Sequence, residues 1–139
     1  MYRALLLTCL LPALSYGQPI FLDRSEQAGI NNTGSNRGVA FGDYDGDGRD
    51  DIYVSRISAP NLLYRSLGDG YYEEVGAQAG VDFSSSTTAS AWGDIDNDGD
   101  LDLYLGNREQ PNVLYRNNGD GTFTDISESA GVNSGNRTR

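Results

Sequence analysis

Cysteine and histidine are nearly absent from this chain, which holds one Cys and no His among 139 residues. Cys9 lies in the N-terminal apolar run, so the rest of the chain has no thiol for a disulfide or for a covalent nucleophile. Imidazole, the commonest general acid or base, is missing as well, and there is no Gly-rich phosphate loop. We therefore expect that the chain is not an enzyme.

Lysine is also absent, because all ten basic residues are Arg, against twenty acidic residues and a formal charge of −10. Nucleic acids and anionic membranes attract proteins whose surface is positive. The composition therefore disfavours nucleic acid and membrane surfaces as partners, and it suits the binding of cations.

Long hydrophobic runs are missing too, since the apolar run from Ala4 to Leu14 is too short to cross a bilayer. It follows Arg3 and precedes small residues at suitable cleavage positions, which is typical of a secretory signal peptide over residues 1–17. A buried N-terminal helix is the alternative. Cleavage would remove Cys9, so we expect a secreted, extracellular chain in which something other than disulfides supplies the cross-links.

The chain does contain an internal repeat. The segment "FGDYDGDGRDDIYV" begins at Phe41, and "WGDIDNDGDLDLYL" begins 51 residues later at Trp92. "NLLYR" at Asn61 returns as "NVLYR" at Asn112 with the same offset, and "FLDRSEQAGI" near the N-terminus matches the end of the first unit. One offset along the whole chain indicates a repeat architecture.

Hydrophobic residues alternate with a period of two within each unit, which predicts strands. Each unit of about 50 residues has the size of a propeller blade, a four-stranded antiparallel meander, so the predicted fold class is all-β. The polar segment "VDFSSSTTAS", residues 81–90, is predicted to be a loop between units. The predicted organisation is a signal peptide (1–17), an orphan outer strand near 20–24 with its loop (18–37), repeat 1 (38–88) and repeat 2 (89–139).

Aspartate recurs in a fixed pattern in each unit, at positions 1, 3, 5 and 9 of a nine-residue loop that has Gly at position 6. Alternate residues of a tight turn point inward, and Ca²⁺ takes six to eight oxygen ligands. The glycines, Gly48 and Gly99, permit the positive φ of a sharp bend. Position 7, Arg49 or Asp100, would lend its backbone carbonyl. The pattern predicts two Ca²⁺ sites, with carboxylates from Asp43, Asp45, Asp47 and Asp51, and from Asp94, Asp96, Asp98 and Asp102.

Repulsion among the carboxylates supports a bound ion, because like charges 4 Å apart cost about 1 kcal/mol per pair in water and more at a protein surface. An EF-hand is excluded, since its position 12 requires Glu and the corresponding residues are Val54 and Leu105. Solvated acidic turns without an ion remain the alternative.

Aromatic residues also recur at matching positions, and we expect them to form the core of the repeats rather than a ligand-binding shelf. They are Phe41, Trp92, Tyr53, Tyr104, Tyr64, Tyr115, Tyr72 and Phe123.

Together these segments resemble FG-GAP repeats, and more closely the VCBS-type repeats of secreted proteins related to the ASPIC/UnbV and cartilage acidic protein group. The motif DxDxDGxxD falls on both aspartate loops. The resemblance implies propeller blades with Ca²⁺ in the blade loops, and a role in extracellular adhesion, recognition or scaffolding, as in the head of integrin α-chains.

Such propellers usually have about seven blades, whereas this chain has two full units. Either it is the front part of a longer secreted propeller protein, whose blades are accessory to an enzyme or receptor, or it is a subunit that self-assembles. In the second case we expect a homo-oligomer or filament, formed through the blade edges and the N-terminal strand. The sequence does not identify a protein or glycan ligand.

Overall fold

The computed structural model describes residues 22–133, whose regular secondary structure is almost entirely β-strand. Eight antiparallel strands form two four-stranded meanders, so the predicted all-β class with propeller-type blades is confirmed. Blade 1 contains β1 (Asn36–Gly42), β2 (Asp51–Pro60), β3 (Leu62–Gly68) and β4 (Tyr71–Glu74). A short helix, α1 (Gly76–Ala79), links it to blade 2, which contains β5 (Ser84–Gly93), β6 (Asp102–Asn107), β7 (Val113–Asn117) and β8 (Phe123–Asp125).

Neighbouring strands in sequence pair with one another in each blade, as a meander requires. The β3–β4 hairpin turns at Gly68, Asp69 and Gly70, which have φ of 85°, 53° and 80°. Left-handed residues of this kind match the twist of a hairpin, and Asp-Gly is a favoured pair for it. The helix α1 ends at Gly80, which is also left-handed.

The predicted loop over residues 81–90 is wrong from Ser84 onward, because β5 begins there. The first residues of β5 pair with the end of β2, Pro60 opposite Ser84, before the strand continues alongside β6. Ser85 and Thr87 are buried, and their hydroxyls donate to Oδ1 of Asn107 at 3.0 and 2.8 Å. This polar run is therefore a strand that joins the two blades, because it pairs with β2 of blade 1 and with β6 of blade 2.

The main core lies between the blades. Tyr53 and Leu63 of blade 1 face Leu103 and Leu105 of blade 2, and all four are fully buried. Val81, from the link between the blades, completes this layer and accepts a 2.7 Å hydrogen bond from the Tyr53 hydroxyl. The hydrophobic core of the described residues is thus built where one blade packs on the next.

Trp92 of blade 2 packs over blade 1. Its ring stacks on Tyr44 at a centroid distance of 6.2 Å and meets the ring of Tyr53 edge-on at 6.1 Å. Gly42 allows this approach, since a Cβ there would come within 2.8 Å of the indole Cδ1.

The structure describes only part of the predicted orphan strand at 20–24. Residues 22–24, the part of it that the structure describes, form no strand, and a turn follows over residues 25–29. The N-terminal segment attaches to blade 1 through hydrogen bonds from Tyr72 N to Ala28 O at 2.8 Å, from Ile57 N to Ser35 O at 3.0 Å and from the Arg56 guanidinium to Thr33 O at 3.2 Å. The predicted signal peptide, residues 1–17, lies outside the described residues. Within residues 22–133, no helix has the length and apolar character needed to cross a membrane.

Candidate metal centre

Each aspartate loop connects the first and second strands of its blade. The last rung of the β1–β2 ladder pairs Gly42 with Asp51, and the last rung of the β5–β6 ladder pairs Gly93 with Asp102. The two loops therefore begin and end at equivalent rungs. Equivalent sequence in equivalent register produces two copies of one site.

The ninth residue of each loop is a buried anchor. Asp51 is 0% exposed; its Oδ2 accepts the backbone N–H of Tyr44 at 3.1 Å and its Oδ1 that of Ser66 at 2.7 Å. Asp102 is 1% exposed and accepts the N–H groups of Ile95 at 2.9 Å and Asn117 at 2.8 Å. Each carboxylate thus ties its loop to the third strand of the blade. A carboxylate oxygen accepts about two bonds, so both oxygens retain capacity for a cation.

The first residue of each loop holds the turn in shape. Asp43 accepts the N–H groups of Asp47 at 3.0 Å and Gly48 at 2.8 Å. Asp94 makes the equivalent bonds with Asp98 at 3.2 Å and Gly99 at 3.1 Å. Backbone donors thereby fold the loop around its own first carboxylate.

Three carboxylates converge in each loop. Asp43, Asp45 and Asp51 each offer an oxygen, and these oxygens lie within 4.8 Å of one another. Asp94, Asp96 and Asp102 form the same arrangement in blade 2. Ca²⁺–oxygen distances are about 2.3–2.6 Å, so ligands on opposite sides of one ion are about 5 Å apart. A set of hard oxygen donors with this spacing fits a Ca²⁺ ion.

The fifth residue of each loop lies outside these groups of three, although the sequence predicts it as a ligand. Asp47 instead forms an ion pair with the guanidinium of Arg49 and accepts its backbone N–H at 3.0 Å. Asp98 accepts the N–H of Asp100 at 2.9 Å. The structure thus brings together three of the four predicted carboxylates in each loop. The backbone carbonyls of Arg49 and Asp100 remain predicted ligands.

Burial and neighbouring carboxylates disfavour the ionised form of several loop aspartates. Burial raises the pKa of Asp51 to about 6, against the effect of the N–H donors of Ser66 and Tyr44, and the charges on Asp45 and Asp47 raise it further. Desolvation, followed by the charge on Asp47, raises the pKa of Asp45 as well. In the second loop, desolvation and the charge on Asp98 raise the pKa of Asp96. A cation held among these carboxylates would relieve that cost.

The fourth residue of each loop was missed by the sequence analysis. Gly46 has φ of 70° and Asn97 has φ of 61°, so both are left-handed. Gly and Asn are the residues that adopt this conformation most readily. The signal available in the sequence was that this position is Gly in one loop and Asn in the other.

These blades and their loops define an FG-GAP-type repeat protein. The family model described as FG-GAP-like repeat matches residues 43–105 and 94–139, and the chain belongs to this family. The predicted relationship to cartilage acidic proteins is confirmed as well. The chain is 32% identical to cartilage acidic protein 1 of Xenopus tropicalis over 118 residues, which cover 82% of the chain and 18% of the relative.

The mammalian relatives show the same partial coverage. Cartilage acidic protein 1 of Homo sapiens is 32% identical over 103 residues, which are 73% of this chain and 16% of the relative. The protein of that name from Mus musculus is 31% identical over the same length. The chain therefore spans less than a fifth of the length of these relatives.

Proposed function

We propose that this chain is an extracellular calcium-binding repeat module that serves adhesion, recognition or structural assembly, without catalysis. The observation that carries the proposal is the convergence of three carboxylates in each of two equivalent loops. One such group would be a common surface feature. Two groups at equivalent ladder positions, in a family built on this loop, support a bound ion in each blade.

The ligands of each ion follow from the loop. In blade 1 the converging carboxylates of Asp43, Asp45 and Asp51 supply the first oxygens. Asp47 and the backbone carbonyl of Arg49 are the remaining protein candidates. In blade 2 the corresponding ligands are Asp94, Asp96 and Asp102, joined by Asp98 and the carbonyl of Asp100. Water completes the six to eight oxygens that Ca²⁺ takes.

A bound ion would act as a cross-link. Asp43 follows the first strand, and Asp51 opens the second and is hydrogen-bonded to Ser66 of the third. One Ca²⁺ would therefore connect three strands of a blade. In a secreted chain that lacks disulfides, this link takes the role that disulfides have in other small extracellular domains.

The extracellular location is supported by the predicted signal peptide over residues 1–17. Non-catalytic function is supported by the lack of His and of any free thiol beyond the leader. A second candidate is a blade pair that is accessory to the activity of a larger secreted propeller. That candidate is favoured because the chain covers only 18% of the length of cartilage acidic protein 1 from Xenopus tropicalis.

The proposal is tested by thermal unfolding of the purified chain, followed by circular dichroism in EDTA, in Ca²⁺ and in Mg²⁺ at equal concentration. We expect a large rise in Tm with Ca²⁺ and a smaller one with Mg²⁺, because Mg²⁺ requires near-ideal octahedral geometry and gives up water reluctantly. A Tm that is the same in all three buffers would refute the metal sites.

A further inference from the structure

Two opposite surfaces of the blade pair correspond to the surfaces that are buried between its own blades. Inside the chain, the Trp92 side of blade 2 packs on the Tyr53 side of blade 1. The 51-residue offset makes Phe41 the equivalent of Trp92, and Tyr104 the equivalent of Tyr53. We call the Phe41 side of blade 1 the front face, defined by Val39, Phe41 and Ile52. The back face is the Tyr104 side of blade 2, defined by its exposed residues Ile95 and Tyr104.

The back face repeats a buried surface in an exposed position. Tyr44 and Tyr53 of blade 1 are 4% and 0% exposed, because blade 2 covers them. Their equivalents in blade 2, Ile95 and Tyr104, are 48% and 37% exposed. The expectation that all recurring aromatics form core is therefore wrong for Tyr104, and also for Phe41.

The front face behaves in the same way. Trp92 is partly buried against Tyr44 and Tyr53, whereas its equivalent Phe41 is 65% exposed. Val39 is also exposed, and the β1–β2 register places Val39 opposite Val54 and Phe41 opposite Ile52. Of these four side chains Val39 and Phe41 are exposed and Ile52 is half-buried, whereas Val54 is buried, so the first three make up the apolar surface on the outer side of blade 1. Large exposed apolar surfaces of this kind mark interaction sites.

We propose that the front face of one copy of this chain docks on the back face of a second copy, head to tail. The inference rests on the proposed role as a repeat module, but not on the metal sites. The Trp92–Tyr53 contact inside the chain is the template, because it joins the same two kinds of surface. Each copy carries both halves of the contact, so the interface continues the internal stacking of blades.

A head-to-tail contact between different faces closes into a ring or continues as a filament. Propellers close with about four to eight blades, so a ring would hold about two to four copies of this blade pair. The contact between copies should be weaker than the internal one. Inside the chain Asn117 Nδ2 donates to Tyr44 O at 2.8 Å, and the front face has the shorter Ser66 at the equivalent position.

The test compares single charge insertions on the two faces. Phe41→Glu disrupts the front face, Tyr104→Glu disrupts the back face, and Leu67→Glu is the matched control. Leu67 is an exposed apolar residue whose blade 2 equivalent, Asn118, is exposed and polar, so it belongs to neither surface. Sedimentation velocity is measured in Ca²⁺ buffer over a range of chain concentrations.

We expect the unaltered chain and Leu67→Glu to assemble as concentration rises, and each face variant to stay monomeric. An equimolar mixture of Phe41→Glu and Tyr104→Glu should form a one-to-one dimer and nothing larger, since each variant keeps one intact face. A monomeric unaltered chain at all concentrations, or a mixture that forms no dimer, would overturn the proposal. Calorimetric Ca²⁺ binding on the same samples tests the metal sites separately, so the head-to-tail contact and the metal sites can each be refuted independently.

Discussion

Replacement of Asp51 by Asn should remove one calcium site and leave the other intact. A ligand at 100 times its Kd stabilises a protein by about 2.7 kcal/mol per site. Two sites therefore give about 5 kcal/mol, and the variant should gain only half of that. For a domain of this size 1 kcal/mol shifts Tm by about 4 °C. We expect Ca²⁺ to raise Tm by about 20 °C in the unaltered chain and about 10 °C in Asp51→Asn.

The same substitution should change stability little in EDTA, because two effects oppose each other. The rise in the pKa of Asp51 from 3.8 to about 6 means that burial of this charge costs about 2–3 kcal/mol at pH 7. Asn removes that cost. Its amide nitrogen, however, replaces one acceptor, so the N–H of Tyr44 or Ser66 loses its partner, at a cost of about 1–3 kcal/mol.

The assay is thermal unfolding of both proteins at pH 7, in EDTA and in saturating Ca²⁺. Asp69→Asn is the control, since Asp69 is an exposed turn residue with φ of 53°, a conformation that Asn adopts readily. It should keep the full shift. If Asp51→Asn also keeps the full Ca²⁺ shift, then Asp51 is not a ligand and the assignment of the first loop is refuted.

Three further outcomes are expected. Gly48→Ala should lose about 1 kcal/mol of stability and bind Ca²⁺ more weakly. The cause is the left-handed backbone at φ of 84° and not a steric clash, since a Cβ there would meet no described atom within 4 Å. Urea unfolding measures the stability and calorimetry the affinity, and Gly48→Asn should restore part of the loss. In EDTA the chain should be about 1 kcal/mol more stable at pH 5 than at pH 7 by urea unfolding. The raised pKa of Asp51 makes folding take up a proton below about pH 6, and the stability that this adds is lost as pH rises through that value. An equal or larger stability at pH 7 would contradict this account of the Asp51 carboxylate. Tyr53→Phe should cost about 1–3 kcal/mol through loss of the 2.7 Å bond to Val81 O and should leave Ca²⁺ affinity unchanged, so a weaker affinity would show that the two regions are coupled.

Local sequence features determined much of what could be predicted. The positions of the strands follow from alternation and turn residues, and the convergence of Asp43, Asp45 and Asp51 follows from their spacing within one loop. The ion pair of Asp47 with Arg49 could not be read from spacing, because the spacing of the aspartates does not specify which charged group each side chain meets.

Features that depend on distant partners could not be predicted in the same way. The polar start of β5 is typical of a loop, and its burial depends on partners in other strands, namely the pairing with β2 and the acceptor on Asn107. Phe41 and Trp92 occupy the same position of the repeat, yet one is exposed and the other is packed. Their difference arises from the neighbouring blade, which the pattern of a single unit does not specify.

Calorimetric titration of the metal-free chain with Ca²⁺ tests the central claim most directly. Two loops that each hold one ion should give a stoichiometry of about two, falling to about one in Asp45→Asn and to none in the variant that also carries Asp96→Asn. A chain that takes up no Ca²⁺, or a double variant that still takes up two ions, would contradict the account.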